Sequence, residues 1–189
     1  MTSRPSRPRP WSGSEPPACR ERFASPLNTI AQAAERDFGD ASRILTAYFD
    51  AIDLPSTLRD GAEDISAYLQ KPGGMWLARH GAQVVGVIAL RPLVTIPSAC
   101  EIKRLYVDPG HRGRGIADAL LDAVEAAAIA RGYSVVYLDT RADLHAAIAF
   151  YRRRGYEACV RYNDNPVASV FMRFRFASAT PADRREKSE

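Results

Sequence analysis

Cysteine is scarce: Cys19, Cys100 and Cys159 are the only three in 189 residues. They are odd in number, far apart and free of C-x-x-C or Cys/His metal spacing. That pattern argues against a disulfide framework and against a metal site, and reads as reduced thiols in a cytoplasmic protein. Long apolar runs are also missing, and nothing approaches the ~18–20 consecutive apolar residues of a membrane span. The body lacks charge of one sign. The net charge is +4, but residues 1–22 hold five Arg against two Glu, residues 23–176 hold 18 basic and 17 acidic residues, and residues 177–189 balance. A near-neutral body gives no basic face for nucleic acid, so neither a nucleic-acid nor a membrane partner is expected.

What is there is ordinary for a folded domain: 46% hydrophobic and 25% charged residues, in a chain long enough to bury a core. Residues 1–25 are rich in Pro, Arg and Ser, as in Arg4-Pro5-Ser6-Arg7-Pro8-Arg9-Pro10. Such a segment buries too little apolar surface to offset its ordering entropy, and it has no apolar stretch of the secretory kind, so it reads as a flexible basic leader. Residues 177–189 read as a second flexible tail. The domain is expected over 26–176.

Periodicity and turn residues predict its elements. A strand near Asn28–Ala33 is followed by helices near Asp40–Ile52 and Ala62–Leu69, the second stopped by Pro72-Gly73-Gly74. Strands Met75–Arg79 and Val84–Pro92 form a hairpin around His80-Gly81, and a third strand, Cys100–Val107, ends at Asp108-Pro109-Gly110. An amphipathic helix, Gly115–Arg131, places Ile116, Leu120, Leu121, Val124 and Ala128 on one face. Strand Ser134–Thr140, helix Leu144–Arg154 and two last strands, Tyr156–Tyr162 and Val167–Phe176, complete the order.

The most informative stretch is Arg112-Gly113-Arg114-Gly115-Ile116-Ala117, between a strand and a well-formed helix. Free N–H groups and the dipole at a helix start make an anion site. Glycines let the backbone approach a ligand, and Arg112 and Arg114 add positive charge, so a phosphate or pyrophosphate is the expected guest. A Walker A loop would need a Lys after the glycines, which is absent. A dinucleotide fingerprint fits poorly, because Asp118 stands at the third glycine position and Asp108–Arg112 separate the strand end from the first glycine.

Here the chain resembles the GNAT superfamily of N-acetyltransferases. Arg112-x-x-Gly115-x-Ala117 satisfies its Q/R-x-x-G-x-G/A signature, Glu101-Ile102-Lys103-Arg104-Leu105-Tyr106-Val107-Asp108-Pro109 is similar to its fourth strand, and Phe150-Tyr151-Arg152-Arg153-Arg154-Gly155-Tyr156 is similar to its late Y-x-x-x-G-F segment. The likeness covers about residues 28–176. It implies an α/β (α+β) GNAT fold: a central mixed, mostly antiparallel sheet, its parallel fourth and fifth strands splayed, flanked by about four helices.

The resemblance further implies acetyl-CoA as co-substrate, no metal, and direct transfer of acetyl to a primary amine on a small molecule, peptide or protein. A homodimer is compatible with it. Pantetheine would pair with the backbone of Leu105, Tyr106 and Val107 as an added strand. The amides of Gly113, Arg114, Gly115, Ile116 and Ala117, with Arg112 at the rim, would hold the pyrophosphate. A backbone N–H near Leu105 would stabilise the oxyanion. Tyr151 would protonate the leaving thiolate. Glu101 would take a proton from the amine, against the alternative of a structural ion pair with Lys103. Leu144 stands where many relatives place a coenzyme-contacting Asn. Cys100 reads as a small core residue rather than a nucleophile. Arg104, Arg141 and Arg161 would suit a carboxylate-bearing acceptor. The competing function is a catalytically silent acyl-CoA-binding module.

Overall fold

A computed structural model of the chain describes residues 28–59 and 61–177. The expected leader, 1–25, and all but the first residue of the expected tail, 177–189, lie outside the described residues. Seven strands and four helices follow in the order β1 (Asn28–Gln32), α1 (Phe38–Ala51), α2 (Ala62–Leu69), β2 (Gly74–His80), β3 (Gln83–Pro92), β4 (Ala99–Val107), α3 (Ile116–Ala130), β5 (Val135–Thr140), α4 (His145–Arg153), β6 (Glu157–Ala158) and β7 (Val170–Arg175). They form one sheet in the order β1-β2-β3-β4-β5-β7-β6. Only β4 and β5 pair in parallel; the other neighbours are antiparallel. The mixed α/β architecture is thus the one the sequence implies.

Helices cover both faces of the sheet, so β2 and β3 read as continuous buried runs rather than alternating ones. Successive side chains still go to opposite faces. Trp76, Ala78, Val85 and Ile88 pack with Leu120, Leu121 and Val124 of α3 and Tyr151 of α4. Met75, Leu77, Val84 and Val87 pack with Ile44, Leu45 and Phe49 of α1 and Ile65 of α2. Each fully buried Leu or Ile in these layers contributes about 1.5–3 kcal/mol over an exposed one.

Two irregularities shape the functional end. The β3–β4 register shifts between Val87, opposite Tyr106, and Ala89, opposite Lys103. One residue of β3 therefore faces two of β4, a bulge, and Arg104 there has φ +61°. In addition, β4 pairs with β5 through only three residues, Ala99–Glu101 against Val135–Tyr137. Beyond Glu101 the two strands part and leave a notch.

The last strands are shorter than expected: Tyr156–Tyr162 reduces to Glu157–Ala158, and Val167–Phe176 to Val170–Arg175. The cause is local side-chain bonding that competes with the ladder. Arg161 donates to the carbonyls of Asn163, Asn165 and Ala168, while the Asn163 and Asn165 side chains accept from the N–H groups of Asn165 and Val167. Residues 161–168 thus close on themselves as a loop.

Candidate active site

The helix α3 starts without a side-chain cap, and Gly115 at its N-cap has φ +74°. The first intrahelical bond runs from the Ala119 N–H to the Gly115 carbonyl, so the N–H groups of Ile116, Ala117 and Asp118 have no helical partner. Gly113 has φ +73°, and a Cβ built on either glycine meets no atom within 4 Å. Glycine is needed for the left-handed backbone, and a side chain there would project into open space. That space is a cavity of about 270 Å³ whose walls include His111, Arg112, Gly113, Gly115, Ala117 and, from α4, Phe150 and Arg153.

Val107, at the end of the β4 stretch that has left β5, forms part of the wall of this cavity. The Asp108 N–H bonds the Val85 carbonyl on β3, so the Val107 peptide groups point to the opposite edge, toward the notch. There the Val107 carbonyl accepts from Arg112 Nε at 2.9 Å. Arg112 also lies over the Tyr106 ring, 5.8 Å from its centroid. Its side chain thus ties the glycine turn to the strand end. By the two-residue repeat, Leu105 presents its backbone to the same edge as Val107. The Leu105 side chain is half-buried against the α3/α4 layer, and Tyr106 packs on the opposite face.

Tyr151 is buried, 6% exposed, with its ring between Phe150 and Tyr156 at 5.3 Å from each. Burial above all, then the nearby Tyr48, Asp139 and Glu125, pushes its phenol well above the usual tyrosine range. A phenol so placed stays protonated at neutral pH and acts as a donor. Cys100 is fully buried, and burial pushes its thiol up to about 12, against a weaker opposing pull from Arg131, so it packs as a neutral side chain.

Glu101 has no exposed surface. It accepts from Arg91 Nε at 2.5 Å, Tyr162 Oη at 2.8 Å and Asn163 Nδ2 at 2.9 Å, and Lys103 Nζ lies 3.6 Å away. Lys103 donates more closely to Asp139, at 2.9 Å. Asp139 also accepts from Asn163 and Asn165. Burial pushes the Asp139 carboxyl up, but Lys103 and the two amides together hold it below the usual carboxylate range. Beside this network lies a cavity of about 260 Å³, with Leu54, Leu58, Arg91, Lys103, Asn163 and Val167 in its wall. The glycine turn and the Val107 end of β4 thus line one cavity, Tyr151 is buried in the core layer that packs against Val107, and Glu101 sits behind the wall of the second cavity.

The profile of the Acetyltransferase (GNAT) family matches residues 38–156, which span the notch, the glycine turn and Tyr151. The chain belongs to the GNAT acetyltransferase family. Among similar proteins, N-acetyltransferase family 8 member 2 of Rattus norvegicus is 37% identical over 106 residues, 54% of this chain and 47% of that one. An uncharacterized N-acetyltransferase of Schizosaccharomyces pombe is 27% identical over 160 residues, 81% of this chain and 97% of that one. The matches span about half the length of the first mammalian relatives. A GNAT-family acetyltransferase structure from Staphylococcus aureus Mu50 superposes with a TM-score of 0.70 at 22% identity, covering 79% of this chain and 99% of the other, which shows the shared fold.

Within this GNAT frame, sequence reasoning missed the α4 wall of the cavity at the glycine turn and the Asp139–Asn163–Asn165 set. Phe150 and Arg153 stand three residues apart on α4, a spacing that puts them on one face. Asp139 carried a signal as an acid in a buried strand, whereas its two amide partners lie in a loop that no periodicity registers. The Asp139 network carries a stability prediction. Asp139→Asn leaves Lys103 without its 2.9 Å partner and should cost about 3 kcal/mol at neutral pH, measured by urea unfolding. Because the folded carboxyl is depressed, its contribution is present above the unfolded value and lost as pH falls through the folded one. The deficit should therefore shrink from about pH 4 downward.

Proposed function

We propose that the chain is an acetyl-CoA-dependent N-acetyltransferase that passes acetyl directly to an amine within a ternary complex. The observation that carries this reading is the adjacency of two features: an uncapped helix start with left-handed glycines, and the unpaired end of the parallel β4, whose Val107 lines the same cavity. The residues present fit the coenzyme. The amides of Gly113, Arg114, Gly115, Ile116 and Ala117 offer donors for a pyrophosphate, Arg112 forms the rim, and the space over both glycines is what a Cβ would fill. The Leu105–Val107 edge offers backbone groups to an extended arm. Because Arg112 already occupies the Val107 carbonyl, the pairing would rest on Leu105 and on the Val107 N–H.

The coenzyme supplies the activated acetyl group; the protein supplies placement, a donor and a route for the amine proton. Tyr151 donates to the departing sulfur. Glu101 has no surface that an amine touches, so it receives a proton only through the Tyr162 hydroxyl or water, while it holds Arg91 and, through Asn163, the loop in place. Its complete burial under three donors is also what favours the second reading, a silent acyl-CoA binder.

Acetyl-CoA at about 100 times its dissociation constant should add about 2.7 kcal/mol of stability, visible as a raised melting temperature. An unmoved melt in folded, ligand-free protein would reject the coenzyme site. Thiol release with a pooled amine library separates enzyme from silent binder, and mass spectrometry of the acetylated product identifies the acceptor.

A further inference from the structure

Tyr156 is fixed at both ends, and Tyr151 is not. Tyr156 lies just past α4 and is buried, 3% exposed. Its N–H bonds the Tyr151 carbonyl at 3.0 Å. Its ring lies 5.3 Å from the Tyr151 ring and 5.4 Å from the Phe174 ring. Its hydroxyl then reaches α3 and donates to Glu125 Oε1 at 2.9 Å. Burial, then the Glu125 charge, push this phenol up, so it donates as a neutral group.

Glu125 is itself held. Its other oxygen accepts from Arg154 at 3.1 Å, and Arg154 also bonds Asp118 and Asp122. Arg154 stands at the C-cap of α4. The cluster therefore ties α3 to the end of the helix that carries Tyr151. A Phe at position 156 would fill the same core space without a carboxylate partner. A satisfied polar network in a core adds rigidity and one fixed arrangement rather than apolar burial.

The Tyr151 hydroxyl has no hydrogen-bond partner among the described residues, yet no sealed side-chain polar atom among them lacks one. The hydroxyl therefore opens on accessible space as a free donor. Packing alone sets its direction, and of the two rings against it Phe150 is only partly buried. The Tyr156 ring is the fixed side of that socket.

We infer that Tyr156 and Glu125 are positioning residues: their hydrogen bond keeps the Tyr151 hydroxyl in the one orientation from which it donates. This inference rests on the acetyl-transfer reading, with Tyr151 as donor to the departing sulfur. A group misplaced by about 1 Å costs on the order of 10²-fold in rate, so loss of the tether should appear in kcat. Neither residue lines the cavity at the glycine turn, so coenzyme binding should not change.

The test is a double-mutant cycle on kcat. Tyr156→Phe keeps the ring and removes the hydroxyl, and the Glu125 side chain, 16% exposed, is near enough to the surface for its freed oxygen to be hydrated. In the wild-type background this variant should lower kcat about 10–100-fold, with KM for acetyl-CoA and the calorimetric Kd for coenzyme A unmoved. In the Tyr151→Phe background it should change nothing, since no hydroxyl remains to be aimed. Glu125→Ala should match Tyr156→Phe and add little to it, because both remove one bond. In free protein with 13C-labelled tyrosine, the Tyr151 ring signals should broaden or split in Tyr156→Phe. Native kcat in Tyr156→Phe, a further loss in the Tyr151→Phe background, a weakened Kd for coenzyme A, losses that multiply between Glu125→Ala and Tyr156→Phe, or unmoved Tyr151 signals would each overturn the inference. If Tyr151→Phe loses turnover while Tyr156→Phe keeps it, the acetyl-transfer reading stands and this one falls. If Tyr151→Phe alone is near-native, the donor role has failed, and this inference with it.

Discussion

Tyr151→Phe should lower kcat by about 10²–10⁴-fold while the affinity for acetyl-CoA changes little. The substitution keeps the ring that packs between Phe150 and Tyr156 and removes only the hydroxyl. The lost interaction belongs to the transition state, because the departing sulfur needs a proton only as its bond to carbon breaks. Glu101→Gln gives the contrast. If Glu101 receives the amine proton through its donors, raising the pH supplies neutral amine and recovers part of the loss. Alkali does not replace an acid, so Tyr151→Phe should show no such recovery. The measurement is kcat against pH for both variants. Equal recovery in the two rejects the division of roles, and near-native turnover of Tyr151→Phe returns that residue to packing.

Gly115→Glu should abolish coenzyme binding in a protein that still folds. Three effects act in one direction. A Cβ at φ +74° is strained, the side chain enters the space above the helix start, and its carboxylate stands where the reading places a phosphate. The same charge at a helix N-terminus is mildly favourable to the helix itself, by about 0.3–1 kcal/mol. Stability and binding should therefore move apart: calorimetry finds no binding of coenzyme A, while the melting temperature of the free protein shifts by a few degrees at most. Unchanged affinity would place the phosphate site elsewhere.

The framework was legible in the sequence wherever one period ran long enough. α2 matches its expected bounds, and the α3 face of Ile116, Leu120, Leu121, Val124 and Ala128 is the buried one. The glycine turn was legible because a positive φ needs a residue without a Cβ. What stayed hidden depended on tertiary pairing. Nothing in Lys103-Arg104-Leu105 announces a bulge, since Arg is an unfavoured choice for a left-handed backbone and the register of β3 imposes it. Glu101 was expected either as a base or as the ion-pair partner of Lys103, but the closer partners of the two are Arg91 and Asp139, on neighbouring strands. The turn at Asn163–Pro166 was expected, but Arg161, Tyr162, Val167 and Ala168 beside it read as strand by composition, and side-chain bonds to the main chain fold them into the loop.

The seam between β4 and β5 has a kinetic consequence. Three residue pairs hold together about 10 Å of strand. On one side lies a plate of four strands, on the other a plate of three. The cavity beside the Glu101 network takes Leu54, Arg91 and Arg104 from the first plate's side and Asn163, Asn165 and Val167 from the second's. Its width therefore depends on the angle between the plates, and a ligand filling the slot fixes that angle. Acetyl-CoA should accordingly add before the amine, and a non-transferable coenzyme analogue should compete with acetyl-CoA and raise amine affinity. On the acetyl-transfer reading, initial-rate kinetics should therefore give an ordered pattern with the coenzyme leading, and random addition would show that the short seam does not couple the two sites.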